Sequence, residues 1–357
     1  MRRKFLLLLS VVLFTPMVVK SQSVRSVRDS IGFCWNAEEM NRFVEFLDRH
    51  AKPEKQMQQN IVAAISVHDD YLYAGDVYHP LYKQIRAKEV IIFGVTHGTV
   101  RKEMGALQNV LILDEYDEWT GVYSNVKISP LRELIKAKLD KENYIVSNKA
   151  HSIEHSIEAL IPFLQYYNRN VKITPIMVTQ LPLDKMSELS AKLATIINEY
   201  ASVNNLKLGK DIFFLISSDA NHYGEDFNNS PYGLDLKAHK TATKNDKRII
   251  EENLQKEIDF AAVKNLTSEI IPDAENNKPI PLWCGRYPIT LGLLTVENVF
   301  SHLGEEKIEG KLFKYSDSLT EKVLPFSNTS LGLTAVFSPK HWCGWFTMGF
   351  YLKKNLK

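Results

Sequence analysis

Histidines and aspartates suited to metal binding or proton transfer follow several short apolar runs of this sequence. His68 comes directly after the run over residues 61–67, and His97 lies in a Gly-Val-Thr-His-Gly loop after the next run. Asp219 and His222 follow a third run. A neutral imidazole is a common transition-metal ligand, and a histidine beside a carboxyl group can transfer protons near neutral pH. The pattern therefore predicts a metal site or an acid–base site.

Cys284 lies in the segment Trp-Cys-Gly-Arg-Tyr-Pro. A thiolate is a soft ligand that suits zinc, copper and iron, and Arg286 would help to lower the pKa of the thiol. The alternative is a small buried side chain just before a helix with Pro288 in its first turn. The segment alone leaves both interpretations open.

The segment from His151 to Glu158 contains a His-x-x-Glu-His pattern, which is typical of one class of zinc peptidases. On a helix, His151 and His155 would share one face, and Glu154 and Glu158 a neighbouring one. The same pattern also fits an ordinary helix start with charged first turns, or groups that support a metal site from behind. All three interpretations stay open at this point.

The sequence around these residues alternates β-branched runs with helical patterns. The predicted strands cover residues 61–67, 90–93, 171–178, 212–217, 330–337 and 344–352. The predicted helices cover residues 37–50, 130–139, 151–167, 184–200, 233–262 and 288–302. This alternation predicts a single α/β domain with a central, largely parallel or mixed β-sheet flanked by helices. Sites in such sheets lie beyond the carboxyl ends of the strands, so we expect the candidate residues to meet there.

Residues 1–21 have the layout of a secretory signal peptide, with three basic residues before an apolar run and a small side chain at Ser21. We expect cleavage before Gln22 and export to the periplasm or the medium. Cleavage would change the charge from 44 − 42 = +2 to 40 − 42 = −2. A near-neutral chain gives no indication of a nucleic-acid partner. No later segment is long and apolar enough to span a membrane.

The segments together resemble the Memo family, including its prokaryotic branch called AmmeMemoRadiSam system protein B. The matching motifs, in chain order, are Ile31–Trp35, His68 with Tyr71, Gly94–His97, Glu154–Glu158, Ser217–Asp219 with His222, and Cys284–Ile289. Six motifs in the family's order are far more specific than any one of them. The resemblance implies that residues 22–357 form one Memo-like domain.

This resemblance implies a fold similar to class III extradiol dioxygenases, which open catechol rings with non-haem iron. The family's metal positions correspond to His68, His97 and Cys284, which would hold one ion, most readily iron or copper, with zinc as a further option. The predicted catalytic residues are Asp219, His222 and His155. The residues predicted to line or support the pocket are Trp35, Asp69, Tyr71, Tyr73, Glu154, Glu158, Ser218 and Arg286.

Two hypotheses for function follow, and a third comes from the peptidase motif. The first is a redox metalloprotein that uses dioxygen or a small molecule of unknown identity. The second is a non-catalytic module in which the metal organises a pocket for a small molecule or a peptide. The third is a zinc peptidase that uses His151, Glu154 and His155. The sequence does not give the oligomeric state.

Two further features set this chain apart. Asp69 and Asp70 replace the Ala-Gly that is usual in the family after the first histidine, so we expect added negative charge near the metal. The chain has three cysteines, an odd number, and an exported protein could pair Cys34 with Cys343 while Cys284 stays free.

Overall fold

A mixed β-sheet organises the chain. The structure is a computed structural model that describes residues 23–51, 61–272, 279–301 and 307–353. The predicted signal peptide, residues 1–21, lies outside these ranges and stays a prediction. The strands are β1 (Val24–Arg25), β2 (Ile61–Ser66), β3 (Glu89–Val95), β4 (Leu111–Leu113), β5 (Glu118–Trp119), β6 (Val126–Ile128), β7 (Tyr144–Val146), β8 (Lys172–Val178), β9 (Ile212–Ser217), β10 (His222–Gly224), β11 (Glu257–Ile258), β12 (Lys307–Asp317) and β13 (His341–Lys353).

Ten α-helices and three short 3₁₀ turns accompany the strands in the described residues. The helices are α1 (Ala37–His50), α2 (Tyr71–Tyr82), α3 (Gly98–Met104), α4 (Leu131–Lys138), α5 (Asn148–Ile153), α6 (Ile161–Tyr167), α7 (Leu183–Val203), α8 (Leu236–Asn253), α9 (Phe260–Ile270) and α10 (Arg286–Ser301). The 3₁₀ turns are Lys141–Asn143, Glu158–Leu160 and Glu225–Phe227. Among these elements, none of the helices has the length and apolarity needed to cross a bilayer.

Parallel strands fill the middle of the sheet. The spatial order is β1-β5-β6-β8-β3-β9-β2-β13-β12-β11, with β10 paired to β13 and β4 paired to both β7 and β8. Neighbours from β6 across to β2 run parallel, whereas β13, β12 and β11 continue the sheet antiparallel. The carboxyl ends of β3, β9 and β2 therefore lie side by side. The predicted α/β fold with a mixed, helix-flanked sheet is confirmed.

Each face of the sheet has its own apolar core, because successive side chains of a strand point to opposite faces. In β9, Ile212, Phe214 and Ile216 belong to one core, and Phe213 and Leu215 belong to the other. Residues of α4, α7, α8, α9 and α10 complete the first core, and residues of α1, α2 and α6 complete the second. With both faces covered, the central strands are mostly apolar and almost entirely buried.

The predicted helix over residues 151–167 is wrong, because the chain leaves the helix at its middle. Helix α5 ends before Glu154, which is extended with φ −99° and ψ 143°. The guanidinium of Arg25 binds the carbonyl oxygens of His151 at 2.7 Å and Glu154 at 2.5 Å. An uninterrupted helix would need those oxygens for its own i to i−4 hydrogen bonds. The guanidinium of Arg25, a residue distant in sequence, thus takes the place of the backbone N–H groups that would bind these oxygens in a continuous helix.

Two other predicted elements also differ. The predicted helix over residues 233–262 is two helices, because Asp259 caps a new helix by accepting a hydrogen bond from Ala262 N at 2.7 Å. The intervening β11 pairs with β12. The predicted strand over residues 330–337 is irregular chain, whose backbone bonds to other loops, as in the 2.9 Å bond from Gly332 N to Ile31 O.

A long irregular segment, residues 318–340, joins β12 to β13 and packs against the start of α2. Thr334 donates to the carboxyl group of Asp70 through its backbone N at 2.6 Å and its hydroxyl at 3.0 Å. The hydroxyl of Tyr73 donates to Ala335 O at 3.2 Å. Loops longer than about 12–15 residues are uncommon and often functional. Near its end, this segment therefore contacts Asp70, which lies between His68 and α2.

Removal of the Glu158 carboxylate tests whether the contacts of Arg25, which join β1 to residues 151–158, stabilise the fold. Arg25 and Glu158 form an ion pair in which both side chains are at most 2% exposed. We expect Glu158→Ala to lower the free energy of unfolding by about 3–5 kcal/mol, because the buried guanidinium would lose its partner. Urea unfolding followed by circular dichroism measures this change.

The matched control breaks an exposed ion pair. Lys138 and Glu199 are paired with both side chains more than 40% exposed. Glu199→Ala should cost less than about 1 kcal/mol. Equal losses in the two variants would contradict a special role for the Arg25–Glu158 pair.

Candidate metal centre

Three strand ends and one helix start deliver side chains to a single cleft. His68, His97 and Asp219 each lie two residues after a parallel strand (β2, β3 and β9), and Cys284 lies two residues before α10. The ligand atoms of His68, His97 and Cys284 all lie within 4.8 Å of one another. His68 Nε2 is 3.5 Å from Cys284 Sγ. The structure therefore brings together the three residues predicted as metal ligands.

Backbone pairing and one glycine hold the cysteine loop against the end of β9. Trp283 forms an isolated antiparallel bridge with Asn221, and Gly285 N donates to Ser218 Oγ at 3.2 Å. A Cβ atom on Gly285 would lie 2.3 Å from Ser218 Cβ, a separation that real atoms do not adopt. Only glycine allows this approach, which sets the position of Cys284.

The hydrogen bonds of His68 fix its tautomer. Its Nδ1 lies 2.7 Å from Ser217 Oγ, and that hydroxyl donates its proton to Ser156 O at 2.7 Å. Nδ1 must therefore be the donor, which leaves the lone pair of Nε2 directed towards Cys284. Burial, together with the nearby imidazole of His97, lowers the pKa of His68 well below its usual range. At neutral pH the ring is therefore an uncharged candidate ligand.

Glu154 holds His97 in the same way. Its carboxylate accepts from His97 Nδ1 at 2.7 Å and from His97 N at 3.0 Å, which in the neutral ring leaves the lone pair on Nε2. Burial would raise the pKa of Glu154, but the imidazoles of His97 and His155 lower it well below its usual range. An ionised carboxylate behind a histidine is the common support of a metal-bound imidazole. The position predicted for Glu154 agrees with this role.

The thiol of Cys284 is protonated in the metal-free protein. Burial and the carboxyl group of Asp219 raise its pKa well above its usual range, while Arg286 acts in the opposite direction. Arg286 thus lowers the pKa of the thiol, as predicted, but burial and Asp219 raise it by more. The backbone N–H of Asp219 donates to Sγ at 3.2 Å, which favours the thiolate once a cation displaces the proton.

The three predicted catalytic residues surround the ligands. The ring of His155 stacks on His97 with centroids 4.6 Å apart and planes 7° from parallel. Asp219 Oδ2 lies 3.5 Å from His68 Nε2, and its Oδ1 accepts from His68 N at 2.9 Å. The ligand atoms of Asp219, His222 and Cys284 form a second group within 4.8 Å.

Burial sets the protonation of these groups. Burial, together with the repulsion that His97 exerts when it is protonated, lowers the pKa of His155 and of His222 to about 4. Burial and the neighbouring Asp69 raise the pKa of Asp219 well above its usual range. At neutral pH the site therefore contains two neutral imidazoles, which can accept a proton, and a carboxyl group whose raised pKa favours its protonated form.

Asp69 and Asp70 carry less negative charge than the sequence suggested. Burial raises the pKa of Asp69, and burial with the charge of Asp69 raises that of Asp70 to about 7. The carboxyl group of Asp69 accepts from Trp345 Nε1 at 2.8 Å, and that of Asp70 accepts from Thr334. Both side chains hold other parts of the protein in place.

Three of the predicted pocket residues lie behind or beside the site. Tyr71 is fully buried, and its hydroxyl donates to Ala159 O at 2.6 Å. Glu158 pairs with Arg25. Trp35 donates its indole N–H to a backbone carbonyl 2.7 Å away. These contacts support neighbouring loops and give no direct contact with the candidate ligands.

The zinc-peptidase motif does not form. Because α5 ends at Ile153, His151 and His155 do not share a helix face. His151 is buried, with Nε2 3.0 Å from Ile112 O and its ring against Trp119. The peptidase prediction is therefore wrong.

The predicted disulfide is wrong as well. Cys34 and Cys343 are both free and buried. Cys34 Sγ lies 3.6 Å from Glu39 Oε2, and Cys343 pairs within the sheet with His222.

Two residues that position the site had no role in the prediction from sequence. Ser217 orients His68, and it lies in the Ser-Ser-Asp motif, so the motif offered a signal. Asp246 of α8 is fully buried and accepts from Trp283 Nε1 and Tyr315 Oη, both at 2.9 Å. Burial raises its pKa to about 7. A lone aspartate in a helical pattern gives no local indication of such contacts.

Comparisons with known proteins find relatives of this chain. A sequence profile described as Memo-like protein matches residues 33–326. A MEMO1 family protein of Saccharolobus solfataricus is 26% identical over 251 residues, 69% of this chain and 74% of the relative. One of Saccharolobus islandicus is 29% identical over 248 residues, 68% and 72%. One of Aquifex aeolicus is 30% identical over 190 residues, 52% and 62%. The profile match spans all three candidate ligands.

The low pKa of His155 and His222 predicts a pH dependence of stability. The unfolded chain takes up protons on imidazoles near the ordinary pKa of 6.5, whereas the folded protein takes them up only near 4. These two residues therefore lower the free energy of unfolding as the pH falls from 6.5 to 4, by on the order of 5 kcal/mol in total. Asp70 and Asp246, whose pKa values are raised, act in the opposite direction.

A comparison of variants isolates the imidazole contribution. The metal-free double variant His155→Gln/His222→Gln should lose less stability than the unmodified protein between pH 6.5 and 4.5. Urea unfolding at several pH values measures the difference. Parallel pH profiles for the two proteins would show that these imidazoles are not held neutral by burial.

Proposed function

Because the chain belongs to the Memo family, we propose that it holds one transition-metal ion between His68, His97 and Cys284. Two observations support this proposal. Nδ1 of His68 is hydrogen-bonded to Ser217, and Nδ1 of His97 is hydrogen-bonded to Glu154. The ligand atoms of His68, His97 and Cys284 all lie within 4.8 Å of one another. Two imidazoles and one thiolate suit iron, copper or zinc rather than magnesium or calcium. The residues present therefore fit the metal that the family implies.

We further propose a redox or oxygen-linked role, with iron or copper as the metal. Such an ion supplies one-electron chemistry and open positions for dioxygen or substrate. The protein supplies proton transfer. His222 Nδ1 lies 3.3 Å from Ala220 O, which leaves Nε2 free to accept a proton. The neutral carboxyl group of Asp219 can donate one, and His155 lies against His97 on the other side.

A row of aromatic rings supports the second candidate, a non-catalytic binding module. Phe227 meets His222 edge-on at 5.0 Å and stacks on His341 at 4.6 Å. Phe337 follows at 5.7 Å from His341 and at 4.7 Å from Tyr73. Ring faces of this kind suit a planar small molecule or an aromatic peptide side chain. In this alternative the metal organises the pocket without turnover.

Substitution of the three ligands tests the metal site. We expect His68→Ala, His97→Ala and Cys284→Ala each to weaken metal binding by more than about 100-fold, since each removes a donor atom. Elemental analysis after anaerobic loading and desalting measures the bound metal. His151→Ala and Cys343→Ala are matched controls that should keep it. Retention of metal by all three ligand variants would exclude this site.

Two glycines that directly follow ligands provide a steric test. Gly285→Ala should reduce metal binding strongly, because the new Cβ would collide with Ser218 and displace Cys284. Gly98→Ala, directly after His97, should leave binding unchanged, because its Cβ would have no neighbour closer than 3.7 Å. Equal metal content in the two variants would argue against a fixed position of the thiol.

Oxygen consumption separates the two candidate functions. Protein loaded anaerobically with ferrous or cuprous ion should consume dioxygen in the presence of ascorbate. Cys284→Ala should abolish this activity, and His222→Gln should lower its rate by about 10²–10⁴-fold if His222 is the proton acceptor. An oxygen electrode measures the rate. Absence of uptake with either metal would sink the redox proposal and leave the binding module.

A further inference from the structure

Two arginines line a cleft beside Cys284. Arg101 comes from α3 and Arg286 from the first residue of α10. The remaining residues that line it are Val95, Thr96, Leu107, Val178, Thr179, Gln180, Tyr287 and Pro288. The centre of a water molecule can occupy about 20 Å³ of the cleft, and the whole cleft measures about 310 Å³ with its open mouth included. The cleft has room for a water molecule or for the end of a small polar group.

Neither guanidinium has a carboxylate partner among the described residues. Arg101 donates one N–H to Thr96 O at 2.5 Å, and Arg286 donates one to Trp283 O at 2.9 Å. Nε of Arg286 is buried and has no hydrogen-bond partner in the same part of the chain. A buried donor without a partner costs about 1–3 kcal/mol. The cleft thus offers unused donors to a molecule that can accept hydrogen bonds.

The two arginines also repel each other, because both carry a positive charge. Arg101 is exposed as a residue, but partial burial of its guanidinium and the positive charge of Arg286 lower its pKa. The N-terminal end of α10, a helix of 16 residues, adds further positive potential at the same place. An anion between the two guanidinium groups would relieve their repulsion and use the free N–H groups.

We propose that the cleft formed by Arg101, Arg286 and Cys284 binds the carboxylate or phosphate group of a small anionic molecule. Guanidinium groups bind both oxyanions through paired N–H donors, whereas the short ammonium of lysine acts as a point charge. Binding of the oxyanion does not depend on a metal. The further idea that the cleft anchors a substrate rests on the proposed function, because the remainder of the bound anion would lie beside Cys284.

Isothermal titration calorimetry of the metal-free protein tests the site with inorganic phosphate and with benzoate. We expect saturable binding at one site, weakened at least about tenfold by Arg101→Gln and by Arg286→Gln. Lys102→Gln is the matched control, because it lies next to Arg101, changes the charge equally and does not line the cleft. It should change the affinity by less than about twofold. The tighter of the two probes identifies the preferred oxyanion.

Arg286→Lys adds a test of geometry, since it keeps the charge but should not restore full affinity. Arg101 is exposed, so Arg101→Gln remains informative even if Arg286→Gln fails to fold. Absence of binding to both probes, or equal losses in Arg101→Gln and Lys102→Gln, would overturn the proposal.

The same samples separate this inference from the metal proposal. Phosphate or benzoate binding by protein that takes up no metal would support the oxyanion site alone. Cobalt(II)-loaded protein gives a second readout, because an anion beside Cys284 should shift the thiolate–cobalt absorption bands. Unchanged bands at saturating anion would overturn the role as a substrate anchor.

Discussion

Parallel pairing of β9 with both β2 and β3 is the constraint on which the site depends. Ser66 pairs with Ser217, and Phe93 pairs with Ile216, so the three strands end at nearly the same level. The residue two positions beyond each end is His68, His97 or Asp219. A slip of one residue would turn every side chain of a strand to the opposite face and remove it from its core. Two-sided burial of these strands therefore also secures the position of the candidate ligands.

Burial around the site keeps most polar groups uncharged. The imidazoles of His155 and His222 are neutral, the thiol of Cys284 is protonated, and burial raises the pKa of the carboxyl group of Asp219. Glu154 is the ionised group that directly contacts a candidate ligand. A divalent cation with the Cys284 thiolate would bring two positive charges against two negative ones, counting Glu154. Charge balance thus favours a site in which metal uptake releases the thiol proton.

Local patterns predicted those parts of the fold that local chemistry decides. The strand over residues 212–217 and the helix over residues 37–50 have the predicted bounds, because uniform apolar character and amphipathic periodicity are written within each segment. The interrupted helix at residues 151–167 depends on Arg25, more than 120 residues away. Asp246 likewise acquires its role only through contacts with Trp283 and Tyr315. Such long-range side-chain contacts leave no periodic signal in the sequence.

Cys284 has both an acidic and a basic side chain near it, and this difference would affect the orientation of a bound ligand. Asp219 raises the pKa of the thiol, and Arg286 lowers it. Cys284 lines the arginine cleft together with Arg286, whereas Asp219 does not line that cleft. The aromatic row that begins at His222 belongs to the side of Asp219, because His222 and Asp219 share a group with Cys284. An anionic molecule with a planar body would therefore direct its charged end towards Arg286 and its ring towards His222. The two ends of such a ligand would meet different chemistry, which fixes its orientation across the proposed metal position.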